Sequence, residues 1–180
     1  IVVRMAGERA LSNGVFQAGF AGTVLRTNLG FRVTVNPTAP FSNMQTVPVY
    51  AYARDYSNYS RVTNWNFTTA DTTPPTATFT SPANGAAGVA TNALVVVRWD
   101  DNAGVISNTL VMRVAGNTAF TNGAFQAGFT GTVLRTNLGF RVTADRTLPF
   151  SNSQGVAVYA YARDAAANAR ATNWIFSTPD

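Results

Sequence analysis

The chain has 180 residues and a net charge of +5, and its 13 basic residues are all arginine, because lysine and histidine are absent. Cysteine is absent as well, so neither a disulfide nor the common nucleophile–base pairs of enzymes can be assembled. A hydrophobic share of 46% favours a folded chain, and no apolar run approaches the roughly 20 residues that span a bilayer. We therefore expect a folded protein with no catalytic residues, no cofactor and no membrane insertion in this segment.

A long internal repeat organises the chain. The stretch Phe16–Thr34 returns at Phe125–Thr143 with a single substitution. The same offset of 109 residues aligns Ile1–Asp71 with Leu110–Asp180 without a gap, and about two thirds of the paired positions are identical. The sequence therefore predicts one complete unit at residues 72–180. Residues 1–71 form the C-terminal part of an equivalent unit whose first two strands are missing.

Short apolar segments separated by turn signals predict the strands of residues 1–71. Asn13–Gly14 is a strong hairpin signal, and Pro37–Pro40 interrupts the alternation because proline cannot donate to a strand ladder. In the clearest strand, valine and alanine alternate with proline, tyrosine and arginine, so that one face is apolar. The predicted strands are Ile1–Met5, Thr23–Arg26, Gly30–Val35, Val47–Asp55 and Val62–Thr68.

The complete unit follows Asp71–Pro75, a linker that two consecutive prolines keep extended. It adds predicted strands at Ala77–Thr80 and Asn92–Trp99 and then repeats the strands of the first unit. No helical periodicity persists for three turns, so about seven short strands per unit predict an all-β sandwich. The alternation predicts a core made of Val95, Val97, Trp99, Phe140, Val142, Val156, Val158, Ala160, Trp174 and Phe176.

Two segments carry a family resemblance. DTTPPTATFTSPANGAAGVATN, from Asp71, and YAYARDAAANARATNWIFST, from Tyr159, resemble the opening and the ending of bacterial immunoglobulin-like repeat domains of the S-layer and cell-surface type. The resemblance implies tandem immunoglobulin-like sandwiches in a long array on a cell surface, filament or appendage. One departure is Ala167, which stands where the family's turn has glycine, so we expect this turn to differ in conformation.

Four aspartates at unit ends and turns are candidate calcium ligands, since the resemblance implies that arrays of this type sometimes use calcium at their junctions: Asp55, Asp71, Asp164 and Asp180. Calcium takes six to eight oxygens, whereas each junction offers about two carboxylates. The sequence therefore favours a simpler role, in which Asp55 and Asp164 accept N–H groups of their own turns. The adjacent Asp100 and Asp101 would face opposite ways on a strand, and in a loop they are expected to be solvated. We assign no metal ligand from the sequence.

The outward face of the penultimate strand presents Tyr159, Tyr161 and Arg163. Three interpretations remain open, namely that the rings cover neighbouring side chains, that they contact another protein, or that they bind carbohydrate. Nucleic acid is disfavoured as a partner because the arginines are scattered along the chain and do not form a basic patch.

These observations predict a structural repeat module of an extracellular filament, surface layer or appendage, with copies of itself as partners in a homopolymer or tandem array. The alternative is an adhesin or carbohydrate-binding module on a cell or virion surface. In the second unit, Phe79, Val95, Val97 and Trp99 are expected to contribute their side chains to the core. The first unit lacks counterparts of these four residues. We therefore expect strands from a neighbouring chain, or from an upstream part of the same polymer, to complete it.

Overall fold

The computed structural model describes all residues from Ile1 to Asp180. The chain divides into two units, Ile1–Ala70 (unit 1) and Asp71–Asp180 (unit 2), whereas the sequence analysis places the boundary one residue later. No helix in either unit has the length and apolar character that crossing a membrane requires.

Unit 1 contains seven strands in two sheets. A five-stranded antiparallel sheet has the order β3-β2-β1-β6-β7, and a separate hairpin pairs β4 with β5. Every strand predicted for this unit is present, and the Asn13–Gly14 hairpin is confirmed because both residues adopt positive φ between β2 and β3. The strands are β1 Val2–Met5, β2 Glu8–Ser12, β3 Val15–Phe16, β4 Phe20–Thr27, β5 Gly30–Pro37, β6 Thr46–Arg54 and β7 Ser60–Thr68.

Unit 2 is an immunoglobulin-like sandwich of a four-stranded sheet, β13-β14-β9-β8, and a five-stranded sheet, β12-β11-β10-β15-β16. It has nine strands, two more than the sequence predicts, because the segment around the Asn122–Gly123 turn forms the short hairpin β11–β12. The strands are β8 Thr76–Ser81, β9 Val95–Asp100, β10 Val111–Val114, β11 Asn117–Thr121, β12 Ala124–Phe125, β13 Phe129–Arg135, β14 Gly139–Arg146, β15 Gly155–Arg163 and β16 Ala169–Ser177, and a 3-10 turn spans Ser107–Thr109.

The core of unit 2 lies between its two sheets and follows the predicted alternation. All of the predicted core side chains are buried except Phe140, which is partly exposed and packs against the others. Three further aromatic side chains, Phe120, Phe129 and Phe150, belong to the core. Phe120 and Phe150 make edge-to-face contacts with Phe125 and Phe176, respectively. The strand register proposed from the sequence is therefore confirmed in this unit.

Phe79 is not a core residue, contrary to the expectation from the sequence. A bulge between Ala77 and Phe79 breaks the regular alternation of β8 against β9, so Ala77 packs on the core instead. Phe79 is 47% exposed, and the Arg141 guanidinium lies over its ring at 5.5 Å from the centroid. The bulge therefore moves one large aromatic side chain from the core to the outer face of the sheet.

The turn after β15 keeps its expected conformation even though it lacks glycine. Ala167 has φ of 75°, and Asn58 at the matching place in unit 1 has φ of 67°. The expectation that alanine would alter the turn is therefore wrong. An alanine in the left-handed region costs about 1–2 kcal/mol per residue because its Cβ crowds the backbone, so this turn holds local strain.

Trp99→Ala should lower the free energy of unfolding of unit 2 by about 3–5 kcal/mol, the range for removing a large buried aromatic side chain. Trp99 is fully buried. Urea unfolding followed by the fluorescence of Trp174 measures the loss. Phe79→Ala is the matched control and should cost about 1 kcal/mol or less, because the ring is half exposed. Equal losses in the two variants would contradict the register described here.

Ala167→Gly should stabilise unit 2 by about 0.5–1 kcal/mol, because relief of the strained φ outweighs the greater entropy of glycine in the unfolded chain. Ala157→Gly is the control, since Ala157 is exposed in the middle of β15, where glycine should destabilise by about 0.5–1 kcal/mol. Urea unfolding of both variants tests the pair. Destabilisation by Ala167→Gly would show that the turn holds no such strain.

Candidate functional site

Unit 1 has an open groove where unit 2 has two strands. In unit 2, β9 pairs with the edge of β14 and β8 pairs with β9. In unit 1, β5 corresponds to β14 but pairs only with β4, so its other edge has no strand beside it. The groove has a volume of about 1430 Å³. Its apolar lining includes Val3, Leu11, Val24, Val33, Val49 and Trp65.

Matched side chains of the two units show the effect of the missing strands. Trp65 is 48% exposed, whereas Trp174 at the same repeat position is 5% exposed. Phe67 is 38% exposed and its counterpart Phe176 is 1% exposed. These positions are identical in sequence, so the difference in burial comes from the strands that only unit 2 possesses. The exposed apolar surface and the free strand edge together form the acceptor surface of unit 1.

A second candidate site is a cluster of three carboxylates in unit 2. Asp71 opens the segment that leads into β8, Asp101 follows β9, and Asp164 follows β15. One carboxylate oxygen from each residue lies within 4.8 Å of the other two. Asp101 is 7% exposed and Asp164 is 1% exposed. Three segments far apart in sequence therefore bring negative charge to one place in the fold.

Hydrogen bonds hold the carboxylates in position. Asn168 donates its backbone N–H to Asp164 Oδ1 at 2.9 Å and its Nδ2 to Asp164 Oδ2 at 2.9 Å. Asp101 Oδ1 accepts the N–H of Ala103 at 2.8 Å, and Asp71 Oδ1 accepts Asn102 Nδ2 at 3.1 Å. The remaining oxygen of Asp101, Oδ2, is buried and has no hydrogen-bond partner. Asp101 therefore has one buried carboxylate oxygen whose hydrogen-bonding capacity is unused.

The pKa of Asp101 is raised, first by burial and then by the negative charges of Asp164 and Asp71, although the N–H of Ala103 acts in the opposite direction. The neighbouring Asp100 has a different environment. Burial alone would raise its pKa, but hydrogen bonds from Thr78 and Arg98 lower it more, so the net pKa is lowered. Arg98 Nε lies 2.8 Å from Asp100. The pKa values of the adjacent Asp100 and Asp101 are therefore shifted in opposite directions.

The structure brings together only two of the four aspartates considered from the sequence, Asp71 and Asp164. Asp55 is exposed and accepts the N–H of Tyr59 at 2.9 Å, and Asp180 accepts the hydroxyl of Ser153 at 2.8 Å. The turn-capping role expected of Asp55 and Asp164 is confirmed.

The expectation that Asp101 is solvated is wrong. Asp101 directly follows the most deeply buried strand of the unit, which is the signal that could have identified it.

The outward tyrosine face carries stacked arginines. Arg113 lies over the ring of Tyr159 at 5.8 Å, and Arg4 lies over Tyr50 at the same distance in unit 1. Tyr159 and Tyr161 are both partly buried. A shallow depression of about 480 Å³ adjoins Tyr159 and is lined also by Asn84, Arg113, Asn173 and Ile175. An arginine side chain therefore lies over a tyrosine ring in each unit, and polar side chains also lie beside the ring of Tyr159.

Known proteins resemble this chain only distantly in sequence. No curated protein matches the chain. Among solved structures, the chain is similar to dimeric latent PorU from Porphyromonas gingivalis, with 16% identity and a TM-score of 0.43, over 84% of this chain and 16% of that one. It is also similar to the titin fragment A168169, with 8% identity and a TM-score of 0.41, over 99% of this chain and 83% of that one. Both likenesses are too distant to bear on function.

The family comparison covers most of unit 2. The family model described as a bacterial Ig-like domain matches residues 71–178. Those residues contain both sheets of the sandwich, the linker prolines and the turn after β15. The chain belongs to the bacterial Ig-like domain family.

Proposed function

We propose that the protein is a non-catalytic structural repeat module of an extracellular filament, surface layer or appendage, in which one copy of the repeat completes another by strand addition. Bacterial Ig-like domains are commonly surface-exposed, which is consistent with this location. The single observation that carries the proposal is the acceptor surface of unit 1, with its free β5 edge and its half-exposed Trp65.

The occupant we propose for the groove is a strand pair with the sequence pattern of β8 and β9, supplied by a further copy of the repeat in the same tandem array. The pairing of unit 2 supplies the template, because Phe140, Val142 and Ala144 of β14 pair with Trp99, Val97 and Val95 of β9. By the repeat offset, the acceptor residues on β5 are apolar too, namely Phe31, Val33 and Val35.

The energetic gain from such completion is large compared with the stability of a domain. Three side chains of the donor strand, Val95, Val97 and Trp99, are buried in unit 2. At about 1.5–3 kcal/mol for each large apolar side chain, their burial supplies roughly 4.5–9 kcal/mol. Whole domains are stable by about 5–15 kcal/mol. Strand pairing also satisfies the backbone groups along β5, which otherwise invite association with other chains.

The covalent order of unit 2 supports a donor from the same array. Its β9 leads through Ser107–Thr109 directly into β10, so the strand pair precedes the sheet that it completes. The same order in a tandem array places a donor pair ahead of unit 1. A chain carrying a copy of residues 72–109 ahead of Ile1 should therefore bury Trp65.

Tryptophan fluorescence tests this completion directly. Replacement of every Trp99 and Trp174 by phenylalanine leaves Trp65 as the sole reporter in the extended chain. We expect a blue shift of its emission and weaker quenching by acrylamide than in the unextended chain. The matched control carries the same extension with serine at the positions of Val95, Val97 and Trp99, and its Trp65 should stay exposed. Equal quenching in all three chains would overturn the proposal.

An adhesin or carbohydrate-binding module is the second candidate function, favoured by the depression where Asn84, Arg113 and Asn173 surround Tyr159. Aromatic rings beside polar groups suit sugar binding. A glycan array separates the two candidates. Binding that is lost in Tyr159→Ala and kept in Tyr50→Ala, the matching change in unit 1, would favour the carbohydrate function. On the structural function we expect no specific glycan binding by either variant or by the parent chain.

A further inference from the structure

We propose that Asp71, Asp101 and Asp164 bind one Ca²⁺ ion. The site lies wholly within unit 2 and is independent of the strand addition proposed for unit 1. Its ligands come from the leading segment, from the loop after β9 and from the turn after β15, so a bound ion fastens the leading segment to two loops of the sandwich.

Three carboxylates concentrate negative charge in the cluster. Its carboxylate oxygens approach within 4.8 Å, and the ion pair between Arg98 and Asp100 involves none of the three residues. Buried negative charge is costly unless it is paired, protonated or bound to a metal ion. A bound cation would offset the negative charge of the cluster.

One atom distinguishes this cluster from three capping aspartates. Each carboxylate oxygen of Asp164 accepts one hydrogen bond from Asn168, which leaves a further lone pair on each oxygen for an ion. Asp101 Oδ1 likewise accepts the N–H of Ala103. Asp101 Oδ2 has no hydrogen-bond partner, although the residue is only 7% exposed. A buried carboxylate oxygen within reach of two further carboxylates is a ready ligand for a hard cation.

The donor set favours Ca²⁺ over other ions. The chain has no histidine or cysteine, so every available ligand is oxygen, which suits Ca²⁺ and Mg²⁺ rather than zinc or copper. Ca²⁺ accepts irregular sets of six to eight oxygens, whereas Mg²⁺ requires an octahedron and usually takes only one or two carboxylates. The amides of Asn102 and Asn168 donate to Asp71 and Asp164. A half-turn of either amide presents its oxygen as a further ligand.

Unit 1 supplies an internal comparison. Asp55 occupies the repeat position of Asp164 and caps its own turn in the same way, through the N–H of Tyr59. Asp55 is exposed and belongs to no group of three carboxylates. The turn of unit 1 therefore forms without a carboxylate cluster around it. The capping role shared by Asp55 and Asp164 is thus distinct from the proposed role of Asp164 as a Ca²⁺ ligand.

Calorimetry and thermal unfolding of the full chain test the site. Titration of the EDTA-treated protein with CaCl₂ should give one site per chain, and saturating Ca²⁺ should raise the melting temperature of unit 2 by about 5 °C or more. Asp101→Asn should weaken Ca²⁺ binding at least tenfold while melting in EDTA at or above the parent temperature, because it removes an uncompensated buried charge. Asp71→Asn, at a less buried position, should weaken binding as well. Asp55→Asn is the matched control and should bind as the parent does.

Three results would overturn the proposal. One is the absence of both heat and a melting shift up to about 10 mM CaCl₂, well above the range of extracellular calcium modules. Another is unchanged Ca²⁺ binding by Asp101→Asn and Asp71→Asn, which would place the ion elsewhere. The third is Mg²⁺ binding as tight as Ca²⁺ binding, which would contradict the choice of ion.

Discussion

The pairing of β9 with β14 is the interaction on which unit 2 depends. It carries Val95, Val97 and Trp99 into the space between the sheets, where each is nearly or fully buried. These side chains belong to the same core cluster as Trp174 and Phe176 of the opposite sheet, so this one strand contributes to the burial of both sheets. Because hydrophobic stabilisation scales with the apolar area removed from water, a unit without this strand loses burial on both sides of its core.

The two units demonstrate this dependence within a single chain. Their shared segments have the same strands at the same repeat positions, and their five-stranded sheets have the same order. Local structure is therefore kept when the partner strands are missing. Burial is not kept, since Trp65 and Phe67 stay exposed while their counterparts are buried. The segments shared by the two units therefore keep their strand pattern without β8 and β9 beside them, but they do not form a dry core.

The acidic cluster depends on the same strand. Because β9 ends at Asp100, the two aspartates at its end point in different directions. Asp100 faces Arg98 and two threonines, and Asp101 turns into the loop beside Asp164. At the end of β9, both carboxylate oxygens of Asp100 therefore have partners, whereas Oδ2 of Asp101 has no hydrogen-bond partner. Hydrogen bonds from Asn102 and Asn168 to Asp71 join the leading segment to the loop after β9 and to the turn after β15.

Features that depend on local pattern could be predicted from the amino-acid sequence. The repeat, the strands of the shared segments, the Asn13–Gly14 hairpin and the inward face of β9 all follow from alternation and turn residues, which act over a few positions. These features place Trp99 and Trp174 correctly in the core. The capping of its own turn by Asp164 is also local and could be predicted.

Features that depend on contacts between residues distant in sequence could not be predicted in this way. The bulge at Ala77–Phe79 arises from pairing with β9 and reverses the face of Phe79, which alternation alone assigned to the core. The burial of Asp101 depends on Asp71 and Asp164, at separations in sequence that no periodicity reports. The exposure of Trp65 likewise depends on what lies beside β5, since the matching residue Trp174, which follows the same Thr-Asn pair, is buried in unit 2. The burial of a side chain and the charge around it depend on residues that are distant in sequence, and these residues come together only when the sheets pack.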